Sequence, residues 1–307
     1  MKKNESMMAE RFLKKLRVEP GRKVRLKDYD TQWVHLREFK SFDKAAMKAR
    51  AQHILLKSQE HLREQQERLY ADNRFSLLIV LQALDAAGKD GAIRHVMSGV
   101  NPQGCEVTSF KQPSVEELDH TFLWRCMKRL PERGQIGIFN RSYYEDVLIV
   151  RVHPEFLEAR RLPNEKLGRK FWQARFDDIN ALERHLVRNG TIVLKFYLHI
   201  SKEEQKERFL ERLTNPDKNW KFAASDVSER AFWDQYHDAY EEVFIHTSTE
   251  WAPWYIIPAD HKWAARAMMA DIIASHLRSL NLKFPTVPDD RRAAMEAAKL
   301  KLQEEKD

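Results

Sequence analysis

The sequence predicts an α/β protein with a parallel sheet and helices on both of its faces. Short apolar segments typical of buried strands alternate with longer segments typical of helices along most of the 307 residues. This alternation is the signature of parallel strands joined by crossover helices. Polar motifs follow the first three strand candidates. Because ligands of such sheets collect at the carboxyl ends of the strands, the three motifs are predicted to form one site.

Strands and helices are predicted in a regular order along the chain. The five strand candidates are 75–82, 105–110, 135–139, 191–198 and 254–257. The helix candidates are 41–70, 89–99, 114–130, 142–150, 163–189, 201–213, 229–246 and 261–281. Ser41 is the predicted N-cap of the first helix, and Ser114 with Glu117 and Ser201 with Glu204 have capping-box spacing.

The ends of the chain are predicted to lie outside one compact domain. Residues 1–40 look irregular and polar, and residues 286–307 read either as a charged helix or as a disordered tail. Only 9 glycines occur in the whole chain, which argues against loose connections inside the domain at 41–285. With two cysteines, no long uncharged apolar segment and no apolar leader, a reduced, cytoplasmic protein without a membrane span is expected.

The charge balance favours an anionic partner. The formal net charge is +7, and a basic excess attracts nucleic acid or other polyanions over long distances. Lysine and arginine are also common on solvated helix faces, so charge alone leaves the two readings open.

The first polar motif, "LDAAGKDG" after the first strand, is typical of a phosphate-binding loop. Its glycine allows close approach of backbone to an oxyanion, a lysine supplies positive charge, and the next helix presents its free amides. The predicted phosphate-binding positions are Ala87, Gly88, Lys89, Asp90, Gly91 and Arg94. The alternative is an ordinary strand-to-helix turn with an aspartate cap.

The same loop departs from the usual G-x-x-x-x-G-K-[ST] pattern in two places. Ala83 stands at the first glycine position, and Asp90 stands where serine or threonine normally holds the metal. Asp85 adds a carboxylate, which is costly beside phosphate unless a divalent cation lies between them. Asp85 is therefore a predicted Mg²⁺ ligand, and Asp90 either contributes to the loop or caps the following helix.

The second and third motifs add nucleotide-binding and catalytic candidates. "SFKQPS" places Phe110 and Lys111 where an acceptor nucleoside is expected, with Phe110 either lying against the base or closing the core. In "FNRSYYED", Arg141 can clamp phosphate. Glu145 is either a capping-box partner of Ser142 or a functional carboxylate, and the two roles are compatible.

A fourth segment, residues 207–230, has the features of a basic lid. Arg208 and Arg212 lie four residues apart on one predicted helix face. Further bases follow at Lys218, Lys221 and Arg230, with Trp220 as an apolar anchor. Such a lid supplies positive charge and excludes water in phosphotransferases. The alternative is a solvated helical hairpin, because acids are interleaved with the bases.

The motifs together resemble the second polyphosphate kinase family. The matching segments are "LDAAGKDGAIRHV", "SFKQPS", "FNRSYYEDVLIVRVH", "KFYLHISKEEQKERFLERLTNPDKNWKF" and "TSTEWAPWYIIPAD", in order from about residue 18 to 285. The resemblance implies a P-loop kinase-like three-layer sandwich with a parallel five-stranded sheet, a helical lid at about 207–230 and an extra N-terminal helix. "FNRSYYED" resembles the group that uses both AMP and ADP.

The resemblance also implies what the site residues do. Asp85 and Glu145 would hold Mg²⁺, with Mn²⁺ as an alternative, and Lys89 and Arg141 would complete the catalytic set. Polyphosphate would lie against the loop and the lid bases Arg208, Arg212, Lys218, Lys221 and Arg230. The nucleotide would lie near Phe110, Lys111, Asn140 and Arg141. The expected reaction is reversible transfer between polyphosphate and AMP, ADP or ATP, with guanine nucleotides as further substrates, in a homo-oligomer.

Two other functions are compatible with some of these features. An ATP-dependent nucleoside monophosphate kinase would share the fold and lid, but its loop should keep the first glycine and the serine or threonine. A basic nucleic-acid-binding protein with a vestigial loop would need a basic stripe with exposed aromatic side chains. The bases of this chain instead gather around the loop motifs, so no nucleic-acid partner is expected.

Overall fold

The computed structural model describes residues 14–32, 43–163 and 166–305. Five parallel strands form one sheet in the order β2-β3-β1-β4-β5. The strands are β1 Ser76–Ala83, β2 Cys105–Ser109, β3 Ile136–Asn140, β4 Thr191–His199 and β5 Trp254–Pro258. Every bound lies within one residue of the predicted one, and the predicted fold class is confirmed.

The central strand, β1, sets the position of the site. All eight of its residues are buried, because it is flanked by β3 and β4 and covered by helices on both faces. The chain runs from β1 to β2 and back to β3 on one side, then crosses to β4 and β5 on the other side of β1, so the strand order reverses there. A crevice opens beyond the carboxyl end of β1 at such a switch point.

Eleven α-helices lie wholly within the described residues, several of them a single turn. They are α1 Lys44–Asp72, α2 Lys89–Val96, α3 Val115–Leu118, α4 Trp124–Met127, α5 Ile149–Val152, α6 Arg169–Arg188, α7 Lys202–Thr214, α8 Ala224–Ser228, α9 Trp233–Thr247, α10 Lys262–Ser279 and α11 Asp289–Glu304. Ser41 lies outside the described residues, and α1 is capped by Asp43, which accepts a hydrogen bond from the Ala46 amide at 2.7 Å.

The predicted helix at 114–130 is wrong as one element. The structure has two short turns, α3 and α4, separated by irregular backbone. Arg125 is drawn into the core, where its Nη1 donates to the Lys111 carbonyl at 2.8 Å and its guanidinium lies 5.4 Å from the Phe110 ring centre. The Ser114–Glu117 capping box is formed as predicted.

The predicted helix at 142–150 is also replaced by shorter turns, a 3₁₀ segment at Tyr143–Val147 followed by α5. Ser142 Oγ accepts from the Tyr144 amide at 3.2 Å rather than from the Glu145 amide, so the predicted capping box is not made. The 3₁₀ turn is attached to the core, because the hydroxyls of Tyr143 and Tyr144 both donate to the buried carboxylate of Glu183.

The described part of the N-terminal extension is less polar in its contacts than expected. Val18, Val24 and Leu26 are buried in the core. The Val18 amide donates to the Trp254 carbonyl at 2.8 Å, and the Val18 carbonyl accepts from Ser248 Oγ at 2.6 Å. Residues 14–32 are therefore attached to the β5 edge of the sheet.

The C-terminal tail was predicted to be either a charged helix or disordered, and the structure shows a helix, α11. Every residue of α11 is exposed. Across the described residues, no helix combines the length and the apolar character that crossing a membrane requires.

Candidate active site

A cavity of about 800 Å³ opens at the carboxyl edge of the sheet. Its walls combine the loop after β1, the ends of β2 and β3, helix α7 with the segment after it, and the start of α10. Ten basic and three acidic residues line it. The basic residues are Lys89, Arg94, Lys111, Arg141, Arg208, Arg212, Lys218, Lys221, Lys262 and Arg266. This excess of positive charge suits a polyanionic ligand.

The loop after β1 is a tight turn that presents backbone to the cavity. Ala86 and Gly88 have positive φ angles of 61° and 103°, and the Ala87 amide donates to the Leu84 carbonyl at 3.3 Å. Gly88 is the N-cap of α2, and its carbonyl accepts from the Ala92 amide at 2.9 Å. The amides of Lys89, Asp90 and Gly91 form the first turn of that helix and are the kind of group that binds phosphate.

Lys89 lies at the centre of the loop. Its Nζ donates to the carbonyls of Ala83 at 2.8 Å and Leu84 at 3.4 Å. Burial, with help from the nearby Arg141 charge, lowers the pKa of Lys89 to about 8, although the carboxylates of Asp85 and Glu145 act in the opposite direction. A lysine held this way is poised to gain a strong partner when phosphate enters.

Two carboxylates flank Arg141 at the end of β3. Arg141 Nη2 lies 2.7 Å from Asp85 Oδ1, and Nη1 lies 3.9 Å from Glu145 Oε2. Burial raises the pKa of Glu145, while the Arg141 and Lys89 charges oppose the rise. Arg141 itself has a φ of 64°, an unfavourable backbone conformation that residues other than glycine adopt mostly at constrained sites.

Two of the residues predicted to bind the nucleotide, Phe110 and Asn140, also make contacts within the protein. Phe110 is buried and meets Phe139 edge to face with ring centres 4.9 Å apart, which supports its core-closing role, although the residue also borders the cavity. Asn140 Nδ2 donates to Asp90 Oδ1 at 2.8 Å. Asp90 is therefore a partner of Asn140, and the helix cap is Gly88.

Apart from Arg208, the predicted lid bases divide into three kinds. Arg212 and Lys218 are paired with the acids Asp226 and Glu211. Lys221 lies 4.9 Å above the ring of Trp220, whose side chain is 78% exposed. These residues line the large cavity, whereas Arg230 lines a smaller adjoining cavity that also contacts Asp85, Arg141 and Glu145.

Arg208 is a lid residue whose donors are already used. Its Nε donates to Glu204, Nη1 to the carbonyls of Ala86 and Ala87, and Nη2 to those of Ala259 and Asp260, at distances of 2.6–3.1 Å. A guanidinium has five N–H donors, so this side chain is saturated. Arg208 thus clamps the loop after β1 to the loop after β5, a role that the sequence did not indicate.

The sequence did not indicate that two basic residues of α10, Lys262 and Arg266, line the cavity. Arg266 Nη2 lies 3.4 Å from the place that a Cβ on Gly91 would occupy. Burial and the charges of Arg94 and Arg208 lower the pKa of Arg266. Only the strand order, which places β5 two positions from β1, brings these side chains to the cleft.

We expect Arg266→Ala to weaken binding of long polyphosphate about tenfold, the usual size of one lost charge-assisted contact. Short phosphate chains that end at the loop should be less affected. The measurement is KM for polyphosphate as a function of chain length, with Arg278→Ala, an exposed arginine near the end of the same helix, as the matched control. Equal losses at all lengths would contradict the placement.

The fold and cleft define the class: an α/β phosphotransferase of kinase-like fold. The polyphosphate kinase 2 family profile matches residues 43–285. A Rhodopseudomonas palustris protein named ADP-polyphosphate phosphotransferase is 54% identical over 242 residues, which cover 78% of this chain and 84% of that protein. The chain belongs to the polyphosphate kinase 2 family and is a polyphosphate–nucleotide phosphotransferase.

Two further relatives extend over more of the chain. A Meiothermus ruber protein named AMP/ADP-polyphosphate phosphotransferase is 43% identical over 273 residues, which cover 89% of this chain and 96% of that protein. The crystal structure of polyphosphate kinase 2 from Arthrobacter aurescens TC1 superimposes with a TM-score of 0.80 at 38% identity, covering 92% of this chain and 95% of the other.

Proposed function

We propose that this protein transfers phosphoryl groups from polyphosphate to both AMP and ADP, making ATP in two successive steps, with GMP and GDP as further acceptors. The observation that carries the proposal is the Glu145 carboxylate, 16% exposed, beside Arg141 at the cleft. The relatives' names support both acceptors, since one is named for ADP and another for AMP and ADP. The expected form is a cytoplasmic homo-oligomer.

Each side of the cleft is assigned one substrate. The terminal phosphates of polyphosphate lie against the amides of the loop and Lys89. The rest of the chain follows the bases of the large cavity, which are Arg212, Lys218 and Lys221 of the lid and Lys262 and Arg266 of α10. The acceptor lies near Lys111 and Asn140, with its phosphate reaching Arg141. Arg141 is the residue between the two, since it follows Asn140 at the end of β3 and contacts Asp85 of the loop at 2.7 Å.

The chemistry needs charge neutralisation more than covalent help. An oxygen of the acceptor's terminal phosphate attacks the last phosphorus of polyphosphate, and the bond to the bridging oxygen breaks, leaving the chain one phosphate shorter. Negative charge builds on the bridging oxygen and is spread over the transferred group. Lys89 and Arg141 both line the cavity and would stabilise that charge.

The carboxylates at the cleft fit a divalent metal held largely by phosphate. Asp85 is 31% exposed at the cavity, and within the described ranges no cluster of three His, Cys, Asp or Glu side chains could hold a metal by itself. Mg²⁺ typically takes one or two carboxylates and completes its shell with substrate phosphates and water. Asp85, with Glu145 behind it, would hold Mg²⁺ or Mn²⁺, which would neutralise phosphate charge.

The test is a time course that starts from AMP, with polyphosphate and Mg²⁺ present and no ATP. We expect ADP to appear first and ATP to follow as ADP accumulates. A reaction that stops at ADP would contradict the two-step proposal. No product without added ATP would instead favour the rival, a nucleoside monophosphate kinase that uses ATP.

Glu145→Asn should change acceptor preference without removing activity. A carboxylate beside Arg141 can hold a cation or water in the space that the shorter AMP leaves, and an amide does this less well. We expect the AMP-to-ADP ratio of kcat/KM to change about tenfold, a typical size for one polar contact in substrate discrimination. The ratio is measured from initial rates, and an unchanged ratio would show that Glu145 only supports Arg141.

A further inference from the structure

Helix α7 holds three consecutive carbonyls of the loop after β1. Gln205 Nε2 donates to the Asp85 carbonyl at 2.9 Å. Arg208 Nη1 donates to the Ala86 and Ala87 carbonyls at 3.1 and 2.7 Å. Both side chains are about 95% buried, so these bonds form away from competing water.

Pinning a carbonyl also fixes the next amide. In a trans peptide the C=O and the following N–H point in opposite directions. The carbonyls of Asp85 and Ala87 face α7, so the amides of Ala86 and Gly88 are turned away from α7. This arrangement requires a positive φ at Ala86, a backbone conformation that is unfavourable for any residue with a Cβ. The bonds from α7 stabilise that conformation.

Gln205 connects this loop to the end of the lid. Arg230 Nη1 donates to Gln205 Oε1 at 2.6 Å and to the Lys202 carbonyl at 3.2 Å. A guanidinium can only donate and a carbonyl can only accept. Arg230 therefore fixes the Gln205 oxygen on its own side and turns the amide nitrogen toward Asp85.

The geometry points to Gln205 as a positioning residue through which Arg230 orients the phosphate-binding loop. Arg230 would then influence polyphosphate use without touching polyphosphate, because it lines the smaller cavity and not the large one. The direct role expected from the sequence, a contact between Arg230 and the polyphosphate chain, makes a different prediction for combined substitutions. The inference rests on the phosphotransferase activity and not on the use of AMP.

The deciding experiment is a double-mutant cycle with Gln205→Leu and Arg230→Ala, since contacting residues that act as one unit are not additive. We expect each single variant to lower kcat/KM for polyphosphate about tenfold, with ADP as acceptor. The double variant should be no worse than the poorer single variant. Losses that multiply, to about 100-fold, would overturn the relay and favour an independent contact by Arg230.

A second variant separates positioning from folding. Gln205→Glu keeps the shape and the acceptor for Arg230 but loses the donor to the Asp85 carbonyl. We expect it to be as slow as Gln205→Leu while its Tm stays near that of the wild type, and wild-type kinetics would overturn the proposal. Gln173→Leu, which replaces a half-buried glutamine of α6 outside both cavities, is the matched control and should be unaffected.

The same cycle is measured on the Kd of polyphosphate in the absence of nucleotide. The relay predicts the same lack of additivity in Kd, because the loop amides bind phosphate whether or not an acceptor is present. Additive effects on Kd would overturn the relay even if ADP and AMP proved to be good acceptors. Failure of the AMP time course would leave this result unchanged, so the two proposals fail separately.

Discussion

Lys89→Met should lower kcat for polyphosphate-dependent ATP synthesis by about 100- to 1,000-fold, the usual loss when one preorganised group that stabilises transition-state charge is removed. The Lys89 ammonium is held by the carbonyls of Ala83 and Leu84 and directed at the mouth of the loop. Methionine keeps most of the length and apolar volume, so the fold should survive. Initial rates at saturating substrates give the result.

The control for this substitution is Lys206→Met, which removes an exposed lysine on α7 outside both cavities. It should leave kcat within twofold of the wild type, about the scatter expected of a surface change. A Lys89→Met enzyme with a normal kcat and only a raised KM would show that the lysine binds phosphate equally in the ground and transition states.

The lowered pKa of Lys89 should also make the activity depend on pH. In the free enzyme its charge is present below about pH 8 and is lost above it, so kcat/KM for polyphosphate should fall as pH rises through that value. Bound phosphate favours the charged form, so the fall in kcat should occur at higher pH. Lys89→Arg should lose this alkaline limb, because arginine stays charged.

The strands were predictable because their signal is local. Four of the five are apolar runs, and β1 is buried along its whole length, whereas the edge strand β2 is polar and mostly exposed. The short turns at 114–130 and 142–150 were not predictable in the same way. Their shape depends on distant partners, such as Lys111 for Arg125 and Glu183 for the two tyrosines.

The same difference separates the site residues. Asp85, Lys89 and Arg141 follow strands directly, and the structure brings all three to one cleft. Gln205 and Arg266 lie within ordinary helices, and only the packing of α7 and α10 brings Gln205 to the loop after β1 and Arg266 to the cleft. Lys195 is the extreme case: a lysine inside a central strand is explained only by its contacts with Glu183 at 2.6 Å and the Thr247 carbonyl at 2.7 Å.

The buried Lys195–Glu183 pair also explains how the turn after β3 is held in place. Glu183 accepts from Tyr143, Tyr144 and Lys195 at 2.6–2.9 Å, and all four side chains are fully buried. Removing one member of such a network leaves a buried charge uncompensated. The network therefore fixes the tyrosines of "SYYED" so that Glu145, the next residue, is directed toward Arg141.

Asp85→Asn should reduce activity on the order of 1,000-fold, since a metal that organises phosphate contributes several kcal/mol to phosphoryl transfer. The carboxylate lies within the loop after β1 and contacts Arg141 at 2.7 Å. Asparagine keeps the shape but lacks the charge that a divalent cation requires. A neutral side chain also leaves Arg141 with Glu145 as its remaining partner, at 3.9 Å.

The Mg²⁺ dependence of the residual rate tests the role assigned to Asp85. If the carboxylate holds the metal, Asp85→Asn should need much more Mg²⁺ to reach half of its own maximal rate, with Tm near that of the wild type. Asp90→Asn is the matched control, because it changes a carboxylate that accepts from Asn140 at 2.8 Å in the same loop, and its Mg²⁺ requirement should move far less. A wild-type rate for Asp85→Asn at limiting Mg²⁺ would show that Asp85 serves only to orient Arg141.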